Sequence, residues 1–224
     1  MPCGGRPRAI HIGNWKKLLS PEGAPKFRAI VEGANLFITQ EARIELEKAG
    51  VIVLKDASTN KGGVTSSSLE VLSALALEDG EFERLMTVKD GRVPEFRTKY
   101  VNAIQDAVHR NAGLEFDRIW KENQASGTFR SVLTDVLSLK INRLADAVRE
   151  SDLFEDEALR RKVVSLHCPN VLLEQIGIAN VLRRVPETYL RAAFACSIAS
   201  RFVYERGLDA NEIDFLHFVQ ELSA

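Results

Sequence analysis

The sequence predicts an α/β fold in which a small parallel sheet is followed by an all-α C-terminal region. Two short apolar runs predict the strands: Phe27 to Gly33 (FRAIVEG) and Val51 to Leu54 (VIVL). Runs of this length, rich in β-branched residues, are typical of buried strands. A helical pattern follows each of them, and the order strand, helix, strand, helix favours parallel pairing.

The two predicted helices of this region have recognisable ends. Thr39 is a good N-cap for a helix that runs to Ala49, and Gly50 stands where a left-handed C-cap residue belongs. The glycines of NKGG break the chain after the second strand. Val64 to Leu77 then shows apolar residues at steps of three and four, which predicts a helix.

The character of the chain changes after Glu78. The stretch Glu78 to Pro94 is charged and contains two glycines, so we expect a boundary there. Residues 1–79 form one predicted domain and residues 80–224 a second, helical one. From Phe96 onward no strand pattern appears, and apolar residues recur at helical spacing.

Two later helices have predicted ends of their own. Pro186 suits the first turn of a helix that stops at Gly207. Asp209 with Glu212 resembles a capping box for the last helix.

Composition excludes several classes of protein. The 224 residues are 45% hydrophobic and 27% charged, which is ordinary for a soluble globular protein. The net charge is −1, so the chain lacks the excess of basic residues that is typical of proteins that bind nucleic acids. No apolar run reaches the roughly 18 residues of a membrane span.

Three widely spaced cysteines favour a reducing compartment over a disulfide framework. We expect a cytoplasmic location, with the mitochondrion as the alternative if an address sequence lies upstream.

One segment has the character of an anion site. In KDASTNKGGVTSSSLE, two adjacent glycines precede a helix start, and three serines follow in its first turns. Glycines let the backbone approach a ligand, and a helix N-terminus offers free N–H groups and a positive dipole end. A carboxylate or phosphate suits such a place. Taken alone, such a pattern is more often an ordinary glycine turn before a helix, because two glycines before a helix are common.

Two further segments are candidates for ligand contact. Asn35 follows the first predicted strand, and ligands bind beyond the carboxyl ends of parallel strands. Gly4 and Gly5, next to Cys3, also let a ligand near the backbone. The alternatives are an Asn turn residue and a small apolar cysteine. No Cys or His spacing indicates a metal site.

Together the three segments resemble the Glu/Leu/Phe/Val dehydrogenase family. PCGGRP, VEGANLFITQEA and KDASTNKGGVTSSSLE occur in the family's order, with its V-E-G-A-N-x-x-x-T-x-E-A and N-x-G-G-V-x-x-S-x-x-E patterns. The sequence around Lys61 and the triple serine is similar to that of the large, fungal-type NAD-specific glutamate dehydrogenases. The broad resemblance covers residues 1 to about 79, and the closer one extends over the helical remainder.

The resemblance implies a specific chemistry. The family oxidatively deaminates L-glutamate to 2-oxoglutarate and ammonia and passes a hydride to NAD. The resemblance also implies a partial Rossmann-like sheet in this chain and a homo-oligomeric full-length enzyme. The residues that it places at the site divide into cofactor contacts, which are Cys3, Gly4, Asn35 and Asn60, and substrate contacts, which are Val64 and Ser67.

The departures from the family pattern limit the prediction. The chain has no G-x-G-x-x-G fingerprint and no match to the family's catalytic lysine motif, so no catalytic residue is predicted in it. We therefore expect a C-terminal portion of the enzyme that is inactive alone. The alternative is a non-catalytic helical module for assembly or interaction.

Overall fold

The chain forms two compact units. The computed structural model describes residues 2–3 and 5–223. One unit comprises Met1–Gly62 and Ala112–Leu139, and the other comprises Gly63–Asn111 and Lys140–Ala224. The predicted domain boundary between residues 79 and 80 cuts the chain once, whereas each of these units contains two separate segments of the chain. That boundary stays a prediction.

A three-stranded parallel sheet lies in the first unit. Its strands are β1 (Pro2–Cys3), β2 (Ala29–Glu32) and β3 (Ile52–Leu54), and their order in the sheet follows the chain. Both pairs are parallel, with Cys3 opposite Glu32 and Val31 opposite Leu54. The α/β prediction with parallel pairing is therefore confirmed.

Helix α1 (Gln40–Lys48) covers one face of this sheet. Ile30 and Val53 alternate with more exposed neighbours and pack beneath the helix, as the two-residue period of a strand requires. The buried apolar residues of this core are Trp15, Ile30, Ile38, Ala42, Leu46, Val51 and Val53. Burial of these side chains holds the sheet against α1. The carboxyl ends of the strands are therefore held in place relative to this helix.

The ends of α1 agree with the sequence except in one detail. Gly50 has φ of +91°, a conformation that costs glycine little, directly after the C-cap. Thr39 stands at the N-cap, but its buried hydroxyl makes no hydrogen bond among the described residues. The backbone of Thr39 nevertheless accepts the first helical hydrogen bond, from the N–H of Arg43.

Two short helical segments lie in the first unit beyond the predicted elements. A 3-10 helix spans Trp15–Leu18, and α2 spans Asp56–Thr59 directly after β3. Parts of α5 (Glu95–Ser126) and α6 (Arg130–Glu150) complete the unit. Glu47 of α1 caps the start of α6: its carboxylate accepts hydrogen bonds from the N–H groups of Arg130 and Ser131, at 2.8 and 3.2 Å. Burial raises the pKa of Glu47.

The rest of the described chain is helical, as expected. A second 3-10 helix, at Asp152–Glu155, precedes α7. The remaining helices are α3 (Gly62–Ala76), α4 (Asp79–Met86), α5 (Glu95–Ser126), α6 (Arg130–Glu150), α7 (Glu157–His167), α8 (Asn170–Arg184), α9 (Glu187–Arg206) and α10 (Glu212–Ser223).

One predicted helix start needs correction, and one helix was not predicted. The charged stretch Glu78 to Pro94, where we expect a domain boundary, contains α4, which begins where the Glu81 carboxylate accepts a hydrogen bond from the N–H of Glu78, at 3.0 Å. The last helix is capped by Asn211, whose side chain accepts from the N–H of Ile213, rather than by Asp209. The predicted stop at Gly207 is confirmed, with φ of +92°.

Candidate functional site

Two loops leave the carboxyl ends of neighbouring strands in the first unit. Residues 33–39 follow β2, and residues 55–61 follow β3 and include α2. The Nδ2 of Asn60 donates a hydrogen bond to the Oδ1 of Asn35, at 2.8 Å. The two loops therefore bring together the two asparagines that the sequence predicts as cofactor contacts.

Each asparagine keeps capacity for a ligand. The hydrogen bond between them uses the carbonyl oxygen of Asn35 and the amide nitrogen of Asn60. Among the described residues, the amide nitrogen of Asn35 and the carbonyl oxygen of Asn60 have no hydrogen-bond partner. Asn35 is exposed, so a donor and an acceptor are offered at the carboxyl edge of the sheet.

A buried ion cluster supports the first loop from beneath. The guanidinium of Arg43 on α1 donates to both oxygens of Glu32, at 2.7 and 3.0 Å. It also donates to Asp56, at 3.2 Å. All three side chains are buried, with exposed fractions of 0% to 7%. One guanidinium is therefore shared by two carboxylate side chains inside the unit.

The same carboxylates hold the backbone that carries Asn35. Asp56 accepts a hydrogen bond from the N–H of Leu36 at 2.6 Å, and Glu32 accepts one from the N–H of Ile38 at 3.2 Å. Leu36 has φ of +57°, which is uncommon for a residue with a side chain. The two hydrogen bonds supply the external constraint that such a conformation needs.

Sequence reasoning missed this cluster, although a pattern for it was present. Glu32 ends an apolar strand, and Arg43 lies on the helix face that carries Ala42 and Leu46. Charged residues at inward positions are rare unless they pair with one another. The position of Glu32 and Arg43 among apolar neighbours could have indicated a buried ion pair.

The second loop is held by side chains of α5 and α6. Glu115, a buried residue of α5, accepts a hydrogen bond from the hydroxyl of Ser58 at 2.7 Å and pairs with the ammonium of Lys61 at 2.5 Å. Lys55, at the start of the loop, pairs with Asp135 of α6. The loop that carries Asn60 thus has a charged anchor near each end.

The start of α3 lies in the second unit and presents Val64 and Ser67 on one face. Val64 is 73% exposed, and Ser67 is also exposed. The hydroxyl of Ser67 donates to the carbonyl of Val64, at 3.1 Å. Ser68, in contrast, lies 3.2 Å from the hydroxyl of Tyr189 and is partly buried. Of these two serines, Ser67 is the one that solvent or a ligand reaches.

The remaining predicted contacts lie at the N-terminus. Cys3 is in β1, and its backbone pairs beside Glu32, so it reaches the same carboxyl edge of the sheet as the first loop. Gly4 lies outside the described residues, as does the side chain of Cys3. The ligand roles of Cys3, Gly4, Asn35, Asn60, Val64 and Ser67 stay predictions.

Two classes of feature are not found in residues 2–3 and 5–223. No helix there is long and apolar enough to cross a membrane. No group of three or more His, Cys, Asp and Glu side chains is arranged to hold a metal ion.

Comparison with known proteins places the chain among dehydrogenases. The family model described as Glutamate/Leucine/Phenylalanine/Valine dehydrogenase matches residues 1–127, more than half of the chain. The chain is 50% identical over 222 residues to Glutamate dehydrogenase 2 of Dictyostelium discoideum and covers 21% of that protein. It is 47% identical over 222 residues to the NAD-specific glutamate dehydrogenase of Neurospora crassa, again covering 21%.

A third relative matches over a similar span. The chain is 41% identical over 224 residues to the NAD-specific glutamate dehydrogenase of Saccharomyces cerevisiae and covers 20% of it. The matches to these three relatives use 98% to 99% of this chain, so it spans about a fifth of the length of each. No solved structure matches the chain. On the family model and the motifs that lie at the strand ends and at the start of α3, the chain belongs to the Glutamate/Leucine/Phenylalanine/Valine dehydrogenase family.

Proposed function

We propose that this chain supplies the nicotinamide-side and glutamate-side contacts of an NAD-dependent glutamate dehydrogenase. The reaction is the oxidative deamination of L-glutamate to 2-oxoglutarate and ammonia, in which NAD accepts a hydride. The observation that carries the proposal is the 2.8 Å hydrogen bond between Asn35 and Asn60 at the carboxyl edge of a parallel sheet. The names of the relatives, which are NAD-specific glutamate dehydrogenases, support the same cofactor and substrate.

The asparagine pair fits the polar side of a nicotinamide nucleotide. A ribose hydroxyl and a carboxamide each both donate and accept hydrogen bonds. The amide nitrogen of Asn35 and the carbonyl oxygen of Asn60, which have no partner among residues 2–3 and 5–223, match that chemistry. Glu32 and Asp56 hold the backbone of the Asn35 loop through hydrogen bonds, so we expect the loop to be formed before any ligand arrives. A preformed loop loses little conformational entropy on binding.

The substrate contact that we propose is Ser67. Its hydroxyl is exposed in the first turns of α3, where the helix dipole favours a carboxylate. Rotation about χ1 would release the hydroxyl from the Val64 carbonyl and let it donate to the side-chain carboxylate of glutamate. Val64 is exposed on the same face and would contact the methylene groups of the substrate.

The experiment is a chimera in which this chain replaces the matching residues of the Neurospora crassa relative. We expect glutamate-dependent production of NADH. In the chimera, Asn60→Ala should raise the KM for NAD about 10-fold, and Ser67→Ala should raise the KM for glutamate by a similar factor, because each variant loses a hydrogen bond to a polar ligand.

The matched control is Ser66→Ala. The Ser66 hydroxyl donates to the carbonyl of Gly63 in its own helix, and we assign it no ligand contact. The KM for glutamate should stay unchanged in this variant. Equal effects of Ser66→Ala and Ser67→Ala would contradict the substrate role of Ser67. The purified chain alone should give no glutamate-dependent NADH, and clear turnover would contradict that expectation.

A further inference from the structure

Glu115 links the helical part of the first unit to the loop that carries Asn60. Glu115 belongs to α5, and its contacts in the loop are 54 and 57 positions away in the sequence. Its carboxylate is buried, and it uses one oxygen for the Ser58 hydroxyl and the other for the Lys61 ammonium. A buried carboxylate that binds two groups of one short loop restrains that loop strongly.

The two contacts of Glu115 stand on either side of Asn60. Ser58 precedes Asn60 by two positions, and Lys61 follows it directly. Thr59, between Ser58 and Asn60, donates from its hydroxyl to the carbonyl of Glu32 at the end of β2. Through their side chains, the neighbours of Asn60 therefore contact α5 at two points, α6 at one, where the Ser58 hydroxyl lies 3.1 Å from that of Thr134, and the sheet at one.

We propose that Glu115 is a positioning residue, which fixes the Asn60 carboxamide against Asn35 through Ser58 and Lys61; its effect on catalysis rests on the proposed function. Glu115 itself contacts neither the cofactor nor the substrate. Loss of its charge releases Lys61 and weakens the hold on Ser58. The Asn60 side chain then samples orientations in which its carbonyl oxygen no longer faces the ligand.

The first test uses the 224-residue chain and is independent of catalysis. The side-chain amide resonances of Asn35 and Asn60 are followed by ¹⁵N NMR, with Asn60→Asp as the assignment variant. Glu115→Gln and Lys61→Met should both move the Asn60 amide signals toward those of an exposed asparagine. Unchanged Asn60 resonances in both variants would overturn the proposal.

A matched control separates positioning from general stability. Glu47 is also a buried carboxylate of the first unit, but its contacts are Arg130 and Ser131 rather than the Asn60 loop. Glu47→Gln should lower the melting temperature and leave the Asn60 resonances in place. Displacement of the Asn60 resonances by Glu47→Gln to the same extent as by Glu115→Gln would show a general loosening and would overturn the assignment.

The second test uses the chimera described above. Glu115→Gln and Lys61→Met should each lower kcat/KM for NAD about 10-fold, and the double variant should be no worse than Glu115→Gln alone, because that variant has already lost the ion pair with Lys61. Lys61→Arg keeps the positive charge and should keep most of the activity. A loss in Lys61→Arg as large as in Lys61→Met, or additive losses in the double variant, would overturn the mechanism. If the unmodified chimera gives no turnover, the proposed function fails, while the NMR measurement still decides the role of Glu115.

Discussion

At the scale of single residues, Arg43 is the cation that two buried carboxylates share. Glu32 and Asp56 both lie within hydrogen-bond distance of its guanidinium. Both carboxylates also hold backbone N–H groups of the loop that carries Asn35. Removal of the cation would leave two uncompensated charges in the core of the first unit.

We predict that Arg43→Met lowers the free energy of unfolding by about 3–5 kcal/mol, because breaking a buried ion pair leaves a buried charge unpaired. Urea unfolding followed by circular dichroism measures the change. Lys48→Met is the control, since the exposed pair of Lys48 with Glu45 on the same helix should contribute less than about 1 kcal/mol. Similar losses in the two variants would contradict the shared-cation role.

A second residue, His167, makes stability depend on pH. Its Nδ1 lies 3.1 Å from the hydroxyl of Ser197, and its Nε2 is buried with no hydrogen-bond partner among the described residues. Burial lowers the pKa of His167 below the ordinary value of 6.5. As pH falls below 6.5, the His167 imidazole is therefore protonated less readily in the folded protein than in the unfolded chain.

We predict that acidification from pH 7.5 through about 6.5 toward 5.5 destabilises the protein and that His167→Gln reduces this dependence. The sign follows from the lowered pKa of His167. The contribution of the neutral histidine to stability is fully present above the pKa that His167 has in the unfolded chain. It is lost as the pH falls below that pKa toward the lower pKa of the folded protein. Glu47 acts in the opposite sense, because its raised pKa lets the folded state bind an extra proton. Urea unfolding of both proteins at each pH isolates the histidine, and parallel curves would contradict its role.

The residue scale also shows what the sequence could and could not reveal. Asn35 and Asn60 were predictable because each follows a predicted strand, and carboxyl ends of parallel strands share an edge. The contacts of Glu115 were not, since helical periodicity marks which face of α5 is buried and says nothing about a partner more than 50 positions away.

At the scale of elements, α8 contains a break that no proline explains. Gly177 lies within Asn170–Arg184 and has φ of +74°. A Cβ atom at this position would have no neighbouring atom within 4 Å outside the adjacent backbone. The constraint on this position is therefore backbone conformation rather than space. Left-handed φ is the reason for glycine here.

We predict that Gly177→Ala costs about 1–3 kcal/mol of stability, because φ of +74° with ψ of 152° lies in a backbone region that residues with a Cβ rarely adopt. Gly113→Ala is the matched control: Gly113 is inside α5, its φ is not positive, and no atom lies within 4 Å of a built Cβ. That substitution should instead stabilise by up to about 1 kcal/mol, from helix propensity. Chemical denaturation measures both, and the same sign for both would contradict the explanation.

The predicted elements were accurate where periodicity and end signals agreed. The helix between the strands, the stop at Gly207 and the parallel strand order are all confirmed. Helix α4 was missed because Gly80 and a high charge density suggested a break, yet Gly80 lies within the helix. Helix α2 was missed because four residues are too few for a periodic pattern.

At the scale of the whole molecule, an ordered set of motifs carried more information than any single one. A glycine pair before a helix and an asparagine after a strand each have ordinary structural explanations. Their order and spacing indicated the dehydrogenase family, and the family model over residues 1–127 confirms it. The helical region offered periodicity without distinctive motifs, so its individual contacts had to come from the structure.

The interior location of the charges around the Asn35 loop has a further consequence. Mobile ions screen charges that water reaches, and at about 1 M salt the screening length is near 3 Å. The Glu32, Arg43 and Asp56 side chains are shielded from solvent, so we predict unchanged amide shifts for Leu36 and Ile38 between dilute buffer and about 1 M sodium chloride. The exposed pair of Lys89 with Glu83 should dissociate in the same titration. A loop held in this way keeps its shape in dilute and in concentrated salt solutions alike.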